Sequence, residues 1–315
     1  MNRHIIESQQ FNEHSLIKLF KLTKILEHYQ KTFGFQEQCL KGKIIATLFY
    51  QPSTRTRLSF ESAIMRLGGQ VLTTENAKEF SSAAKGETIE DTVRVVGRYA
   101  DAIIIRHHEE GTVARAAAVS PVPIINAGDG PGQHPTQALL DAYTIYKHFG
   151  KVSDLKIQFV GDLANGRTVR SLVYLMAKFP RNYFIFVSPK SLKMKDDILD
   201  HLKVHHWRYR ETTKIQTDGV DVTYATRIQE QCFDDPEEFK QVFGTYIIGN
   251  KLVNKLPENS IIMHPLPRVN EIKPEVDSNP RAKYFEQAGN GPYVRMALLK
   301  QIFSEHPFLF QQRIQ

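Results

Sequence analysis

Residues 43–74 read KIIATLFYQPSTRTRLSFESAIMRLGGQVLTT. Residues 43–49 form a short apolar run weighted toward β-branched and aromatic side chains, the pattern of a strand buried on both faces. The spacing predicts a helix over 54–67 and a return to strand over 70–74. Strand, helix, strand is the order of a βαβ unit, and it places the two strands parallel. Upstream, an amphipathic helix is expected around 15–30. Downstream, the pattern predicts a helix over 88–99, a strand over 102–106, a short helix over 112–119 and a strand over 123–126. Four short apolar strands separated by helices imply a parallel sheet covered on both faces.

A helix over 135–149 opens with Pro135 at its first position and stops at Gly150, where helix start and stop rules place these residues. A second series follows, with strands over 156–160, 183–187, 221–224 and 260–263 and helices over 167–178 and 195–204. The fold class is therefore α/β, with two domains, each a parallel sheet flanked by helices, and an active site expected in the cleft between them. The two series meet near Gln133. The last strong pattern, 293–303, is an amphipathic helix that fits either lobe, and no internal repeat suggests a solenoid.

Composition agrees with this. A chain of 315 residues is long for one core and suits two domains of roughly 100–200 residues each. With 41% hydrophobic and 24% charged residues it is globular in character, and a disordered chain is excluded. Residues 1–10 are polar and lack an apolar signal core, and no run approaches the ~18 apolar residues of a membrane span. A cytoplasmic protein with no membrane partner is expected. The formal charge of +7 permits nucleic-acid binding, yet the basic residues are scattered among acidic ones. No nucleic-acid partner is expected. Cys39 and Cys232 stand far apart and give neither a disulfide framework nor a metal site, so both read as buried or idle thiols.

Several arginines fall inside turns, where a pocket for small anions would want them. The run Tyr50-Gln51-Pro52-Ser53-Thr54-Arg55-Thr56-Arg57 joins a strand to a helix, and a helix's first amides and dipole attract anions. Ser53 can cap that helix. Arg55 and Arg57 are two apart and cannot share a helix face, so one is expected to reach phosphate while Arg57 can pair with Glu61 at i, i+4. Arg106 closes its strand, and a glycine-rich turn leads to His134 and Gln137, three apart at the start of a helix. The turn Gly161-Asp162-Leu163-Ala164-Asn165-Gly166-Arg167-Thr168 almost spells a P-loop and makes a nucleotide hydrolase a competitor. The match fails at Arg167, whose planar fork suits a carboxylate better than it replaces a lysine. Arg227 and Gln229 follow the strand at 221–224, and His264-Pro265-Leu266-Pro267-Arg268 follows the strand at 260–263. The two prolines stiffen a loop whose carbonyls can accept from an amide.

Taken in order and spacing, Ser53-Thr54-Arg55-Thr56-Arg57, His134-Pro135-Thr136-Gln137, Gly161-Asp162 with Gly166-Arg167-Thr168, Arg227-Ile228-Gln229 and His264-Pro265-Leu266-Pro267 resemble the aspartate carbamoyltransferases. The resemblance runs from about Leu40 to Phe303. Related ornithine carbamoyltransferases typically carry His-Cys-Leu-Pro where this chain reads His264-Pro265-Leu266-Pro267, so the second half selects aspartate. The resemblance implies a carbamoyl phosphate-binding domain over 1–133, joined by the C-terminal helix at 292–315, and an aspartate-binding domain over 134–291. It assigns Ser53, Thr54 and Arg55 to the phosphate, Thr56, Arg106 and His134 to the carbonyl oxygen, and Gln137 with the backbone at Pro265 and Leu266 to the amide. Arg167 takes the α-carboxylate of aspartate, and Arg227 with Gln229 the β-carboxylate. Ser81 and Lys85 are similar to the pair that the family donates to a neighbouring subunit, which implies a homotrimer with shared active sites.

The implied reaction, an early step of pyrimidine biosynthesis, needs no metal, cofactor or covalent intermediate. The uncharged amine attacks the carbonyl carbon, the oxygen becomes an oxyanion facing Thr56, Arg106 and His134, and phosphate departs. The departing phosphate is the preferred acceptor of the amine proton, with Lys85 the other candidate. Regulated bacterial members usually have Glu where this chain has Gln51, and Lys-Tyr where it has Ala164-Asn165. Association with regulatory chains or with other pyrimidine enzymes is therefore left undecided by the resemblance. Two other readings stand beside it: a carbamoyltransferase for another amine such as ornithine, and a silent paralogue acting as an assembly partner.

Overall fold

The computed structural model describes residues 3–34, 38–80, 85–230, 233 and 235–310. The chain divides into two units, one made of the described parts of Met1–Tyr143 and Asn290–Gln315, the other of Thr144–Gly289.

The first unit begins with α1 (Glu13–Phe33), whose N-cap Asn12 exchanges reciprocal hydrogen bonds with Ser15 and which ends at Gly34 in the left-handed region. Then come β1 (Ile44–Phe49), α2 (Thr54–Arg66), β2 (Gln70–Glu75), α3 (Ala77–Phe80), α4 (Ile89–Val96), β3 (Ala102–His107), α5 (Thr112–Val119), β4 (Ile124–Asp129) and α6 (Pro135–Phe149). The strands lie in the order β2-β1-β3-β4, all parallel. Every residue of β3 and β4 is buried, as a sheet covered on both faces requires. Leu48, Ile103, Ile105 and Ile124 meet Val93 of α4 and Val113 of α5 in one core cluster. The unit runs past Gln133 to Tyr143, whose buried hydroxyl donates to Glu27 of α1 at 2.8 Å and ties the first half of α6 to this unit.

The second unit contains β5 (Lys156–Val160), α7 (Arg167–Met176), β6 (Tyr183–Val187), α8 (Asp196–Val204), β7 (Arg208–Thr212), β8 (Val222–Ala225), α9 (Pro236–Val242), α10 (Asn250–Val253) and β9 (Ile261–Met263). Its parallel sheet has the order β7-β6-β5-β8-β9. The last helix, α11 (Tyr284–Phe303), starts nine residues before the sequence pattern suggested and carries Pro292 inside it. Strand β7, which the apolar pattern did not announce, is an edge strand whose side chains are exposed or half-buried, so it needs no apolar run. Among the described residues no helix is long and apolar enough to cross a membrane. Cys39 is exposed rather than buried, while Cys232 lies outside the described residues.

Candidate active site

In a parallel sheet all strands end on one edge, and each unit collects its singled-out residues there. In the first unit, β1 delivers the turn that opens α2. Ser53 takes the N-cap position, but its side chain makes no cap hydrogen bond, contrary to the expected cap. Its backbone, at φ −161° and ψ 88°, departs from the usual cap geometry. The first amides of a helix have no intrahelical partner, and here the residue's own hydroxyl does not occupy them. Thr54 and Arg55 are exposed and Thr56 is buried. Arg57 turns the other way, toward Glu61 at 3.7 Å and Glu75 at 2.8 Å, so its charge is committed within the unit.

Arg106 pairs in register with Phe49 at the end of the neighbouring strand, is only 9% exposed, and donates from Nη1 to the Ala127 carbonyl at 3.2 Å. Strand β4 runs on to Asp129, three residues beyond the expected end, because His107 of β3 still pairs with Asp129 across a register shift. The Asp129 carboxylate then accepts from the amide of Gly111 at 2.9 Å and fixes the glycine turn against the start of α5. His134 follows, 3% exposed, its ring Nδ1 lying 3.4 Å from Thr136 Oγ1. Half-buried Gln137 donates through Nε2 to Asp141 at 2.9 Å. The unit thus brings the 53–56 turn, Arg106, His134 and Gln137 to one sheet edge. Lys85 is exposed, and Ser81 lies outside the described residues.

In the second unit, β5, β8 and β9 are neighbours, so the loops that follow them are adjacent. The turn after β5 is folded around Asp162, which is fully buried. Its Oδ1 accepts from the Asn165 amide at 3.0 Å, and the Asn165 side chain reaches both oxygens. Burial pushes this carboxyl above the usual range, while the amides of Asn165, Ala164 and Gln229 pull against that rise. The bond from Gln229 joins the loop after β8 to the turn that leads into α7. Arg167, which opens α7, and Arg227 and Gln229, in the loop after β8, are all half-buried. Gly161 has φ +121°, and a Cβ there would sit 2.3 Å from the Thr226 carbonyl, so the close approach of β5 and β8 depends on glycine.

The loop after β9 is organised by His264. Its Nδ1 accepts from the Leu266 amide at 2.8 Å and its Nε2 donates to Glu271 Oε1 at 2.7 Å, which fixes the tautomer. Glu271 Oε2 accepts the amides of Val269 and Asn270, both at 3.1 Å. Burial alone would raise this carboxyl, but the His264 hydrogen bond and the surrounding donors bring it below the carboxylate range. Pro265 and Leu266 are half-buried, and Leu266 takes φ +56° ahead of a cis bond to Pro267. Arg268 pairs with Asp277 and meets the Tyr284 hydroxyl, so it belongs to the scaffold.

The family model described as aspartate/ornithine carbamoyltransferase, carbamoyl-P binding domain, matches residues 3–147, and the one described as the Asp/Orn binding domain of the same family matches 153–302. The chain belongs to the aspartate/ornithine carbamoyltransferase family. It is 52% identical over 299 residues to a chloroplastic aspartate carbamoyltransferase of Pisum sativum, covering 94% of this chain and 76% of that one. The structure resembles the catalytic subunit of M. jannaschii aspartate transcarbamoylase, with TM-score 0.88, 46% identity and coverage of 95% and 97%. It also resembles Trypanosoma cruzi aspartate transcarbamoylase in complex with carbamoyl phosphate and aspartate, with TM-score 0.90, 34% identity and coverage of 95% and 96%.

Within this carbamoyltransferase fold, sequence reading singled out the groups that present charge but missed those that hold them. Asp162 stands in a P-loop-like turn, and its work is to clasp two loops. For Glu271 no local signal exists, because its partner His264 is recognised only once the loop is folded.

Proposed function

We propose that the chain transfers the carbamoyl group of carbamoyl phosphate to the amino group of L-aspartate, giving N-carbamoyl-L-aspartate and phosphate. The observation that carries this reading is the edge of the first sheet, where a helix N-terminus with its threonines and Arg55 adjoins buried Arg106 and His134. Charge-assisted donors of this kind suit a phosphate, and the buried pair suits the oxygen that becomes an oxyanion. Such donors are worth on the order of 3–4 kcal/mol each in the transition state. Ser53, Thr54 and Arg55 take the phosphate, Thr56, Arg106 and His134 the carbonyl oxygen, and Gln137 with the Pro265 and Leu266 carbonyls the amide.

The second sheet's Arg167 and Arg227, with Gln229, supply two forks for the two carboxylates of aspartate. The neutral amine forms the new C–N bond, the C–O bond to phosphate breaks, and the departing phosphate takes the amine proton. An acceptor with one carboxylate would leave one guanidinium without a counter-charge, which disfavours ornithine. Turnover with aspartate should exceed that with ornithine by at least about a hundredfold, the scale on which a site built around polar groups rejects a substrate that cannot pair them. Comparable rates would overturn the assignment. A homotrimer completed by Ser81 and Lys85 of an adjacent chain, and a cytoplasmic location, belong to the same proposal. Fractionation that finds the chain inside an organelle, as the relatives named chloroplastic suggest for theirs, would refute the latter.

A further inference from the structure

The turn of α6 that carries Gln137 rests on buried charge that the reaction above leaves unused. Gln137 Nε2 lies 2.9 Å from Asp141 Oδ1, one helical turn further on, and Asp141 is 0% exposed. An ionised carboxylate only accepts hydrogen bonds, so the end of the Gln137 amide that faces it is the nitrogen. A carboxylate buried this completely stays ionised only beside a counter-charge. Arg295 of α11 provides one. It is 2% exposed, and although burial pulls its guanidinium down to about 9, the Asp141 charge works to keep it protonated.

Arg295 is seated with care. Its guanidinium lies 4.6 Å from the Phe60 ring centroid and its Nη1 donates to Ser59 Oγ at 2.8 Å, both on α2. A Cβ at Gly291 would come within 2.5 Å of Nη1, so the space for the cation exists because that position has no side chain. Among the described residues its buried Nε has no hydrogen-bond partner, which makes the arginine a costly choice for packing alone.

We propose that Asp141, backed by the buried Arg295, is a positioning residue that orients the Gln137 amide so that its carbonyl oxygen is offered to the substrate. The NH2 of carbamoyl phosphate is the donor that such an acceptor recognises. Asp141 and Arg295 then act through Gln137 to select an amide over an equally sized methyl group. This rests on the carbamoyl phosphate reading of the site. With Asp141→Asn the residue can donate as well as accept, the Gln137 amide is no longer held one way, and the selection weakens.

The test compares phosphonoacetamide, a stable stand-in for carbamoyl phosphate, with acetonylphosphonate, which has methyl in place of the amide nitrogen. Calorimetric titration of the assembled protein should show Asp141→Asn weakening phosphonoacetamide about tenfold while acetonylphosphonate stays within about twofold. Arg295→Met should reproduce the selective loss, because it removes the buried cation that acts on Asp141. Equal losses for both probes, or no loss for either, would overturn the proposal while leaving the carbamoyl phosphate site intact. A wild type that binds neither probe would overturn the carbamoyl phosphate reading, and this inference with it. Should the variants not fold, neutron diffraction from deuterated wild type decides the matter: deuterons on the Gln137 atom facing Asp141 are expected, and their presence on the opposite end refutes the idea.

Discussion

Glu271 serves three donors with two oxygens, and that arithmetic makes it testable. In Glu271→Gln one oxygen becomes an NH2 group. The variant can still satisfy His264, but a donor then faces the amides of Val269 and Asn270. Two part-buried amides are left poorly paired, and the variant should lose about 1–2 kcal/mol in denaturant unfolding. The pH dependence has a definite sign. The folded-state pKa of Glu271 lies below its ordinary 4.5, so its contribution is complete above that value and is lost as pH falls through the depressed one. Wild type should therefore show a steeper acid limb than Glu271→Gln, and parallel limbs would remove the linkage. At the same scale, Arg55→Ala should nearly abolish turnover, since a charge-assisted contact to a dianion is worth about 2–5 kcal/mol. Arg227→Leu should raise the KM for aspartate far more than that for carbamoyl phosphate, and equal effects on both would refute the division of substrates. The placement of Arg106, His134 and Arg167 at the sheet edges was legible in the sequence because strand-end turns announce themselves. Asp141, Asp162 and Glu271 were not, because a carboxylate's partners are chosen by tertiary approach, and i, i+4 spacing alone does not distinguish a buried clasp from a solvated pair.

Among elements, the turns between strand and helix are where backbone geometry meets chemistry. Gly161→Ala would press a Cβ against the Thr226 carbonyl at a φ of +121°. Backbone on both sides leaves little room to yield, so about 3 kcal/mol or more of stability should be lost. If the variant folds, aspartate binding should suffer while binding of inorganic phosphate stays within about twofold, as the strain lies in the second unit and the turn at 53–55 in the first. Loss confined to the other ligand would contradict the placement of Arg167 and Arg227. Most elements could be read directly: α5, α6, β5 and β6 have the bounds that their periodicity implies. The exceptions share a cause. Strand β7 carries Arg208, Arg210 and Glu211 because, among the described residues, one of its edges has no neighbouring strand. The first turns of α11 contain Gly289, Gly291 and Pro292, which read as breakers and are tolerated where packing outweighs propensity.

For the whole molecule, the proposal of a ring with shared sites makes a prediction about mixtures. Arg55→Ala and Lys85→Ala assemblies should each be inactive. Dissociated and reassembled together in equal amounts, about three-quarters of the rings are mixed, and each mixed ring has one junction where an intact Lys85 meets an intact Arg55. Roughly a quarter of wild-type activity should return. A mixture that stays dead would place Lys85 within its own chain's site and end the shared-site claim. The division of the chain has a further consequence. The second unit is one continuous stretch, Thr144–Gly289, whereas the first is completed only by Asn290 onward. Arg3 donates to the Ile302 carbonyl at 2.7 Å, closing that loop from the other end of the chain. On the ribosome, then, the order of synthesis and the order of completion are reversed. The earlier stretch of the first unit must wait, with Phe60 and Ser59 lacking their Arg295, until the second unit made after it has already emerged, and Arg3 meets the Ile302 carbonyl only after that.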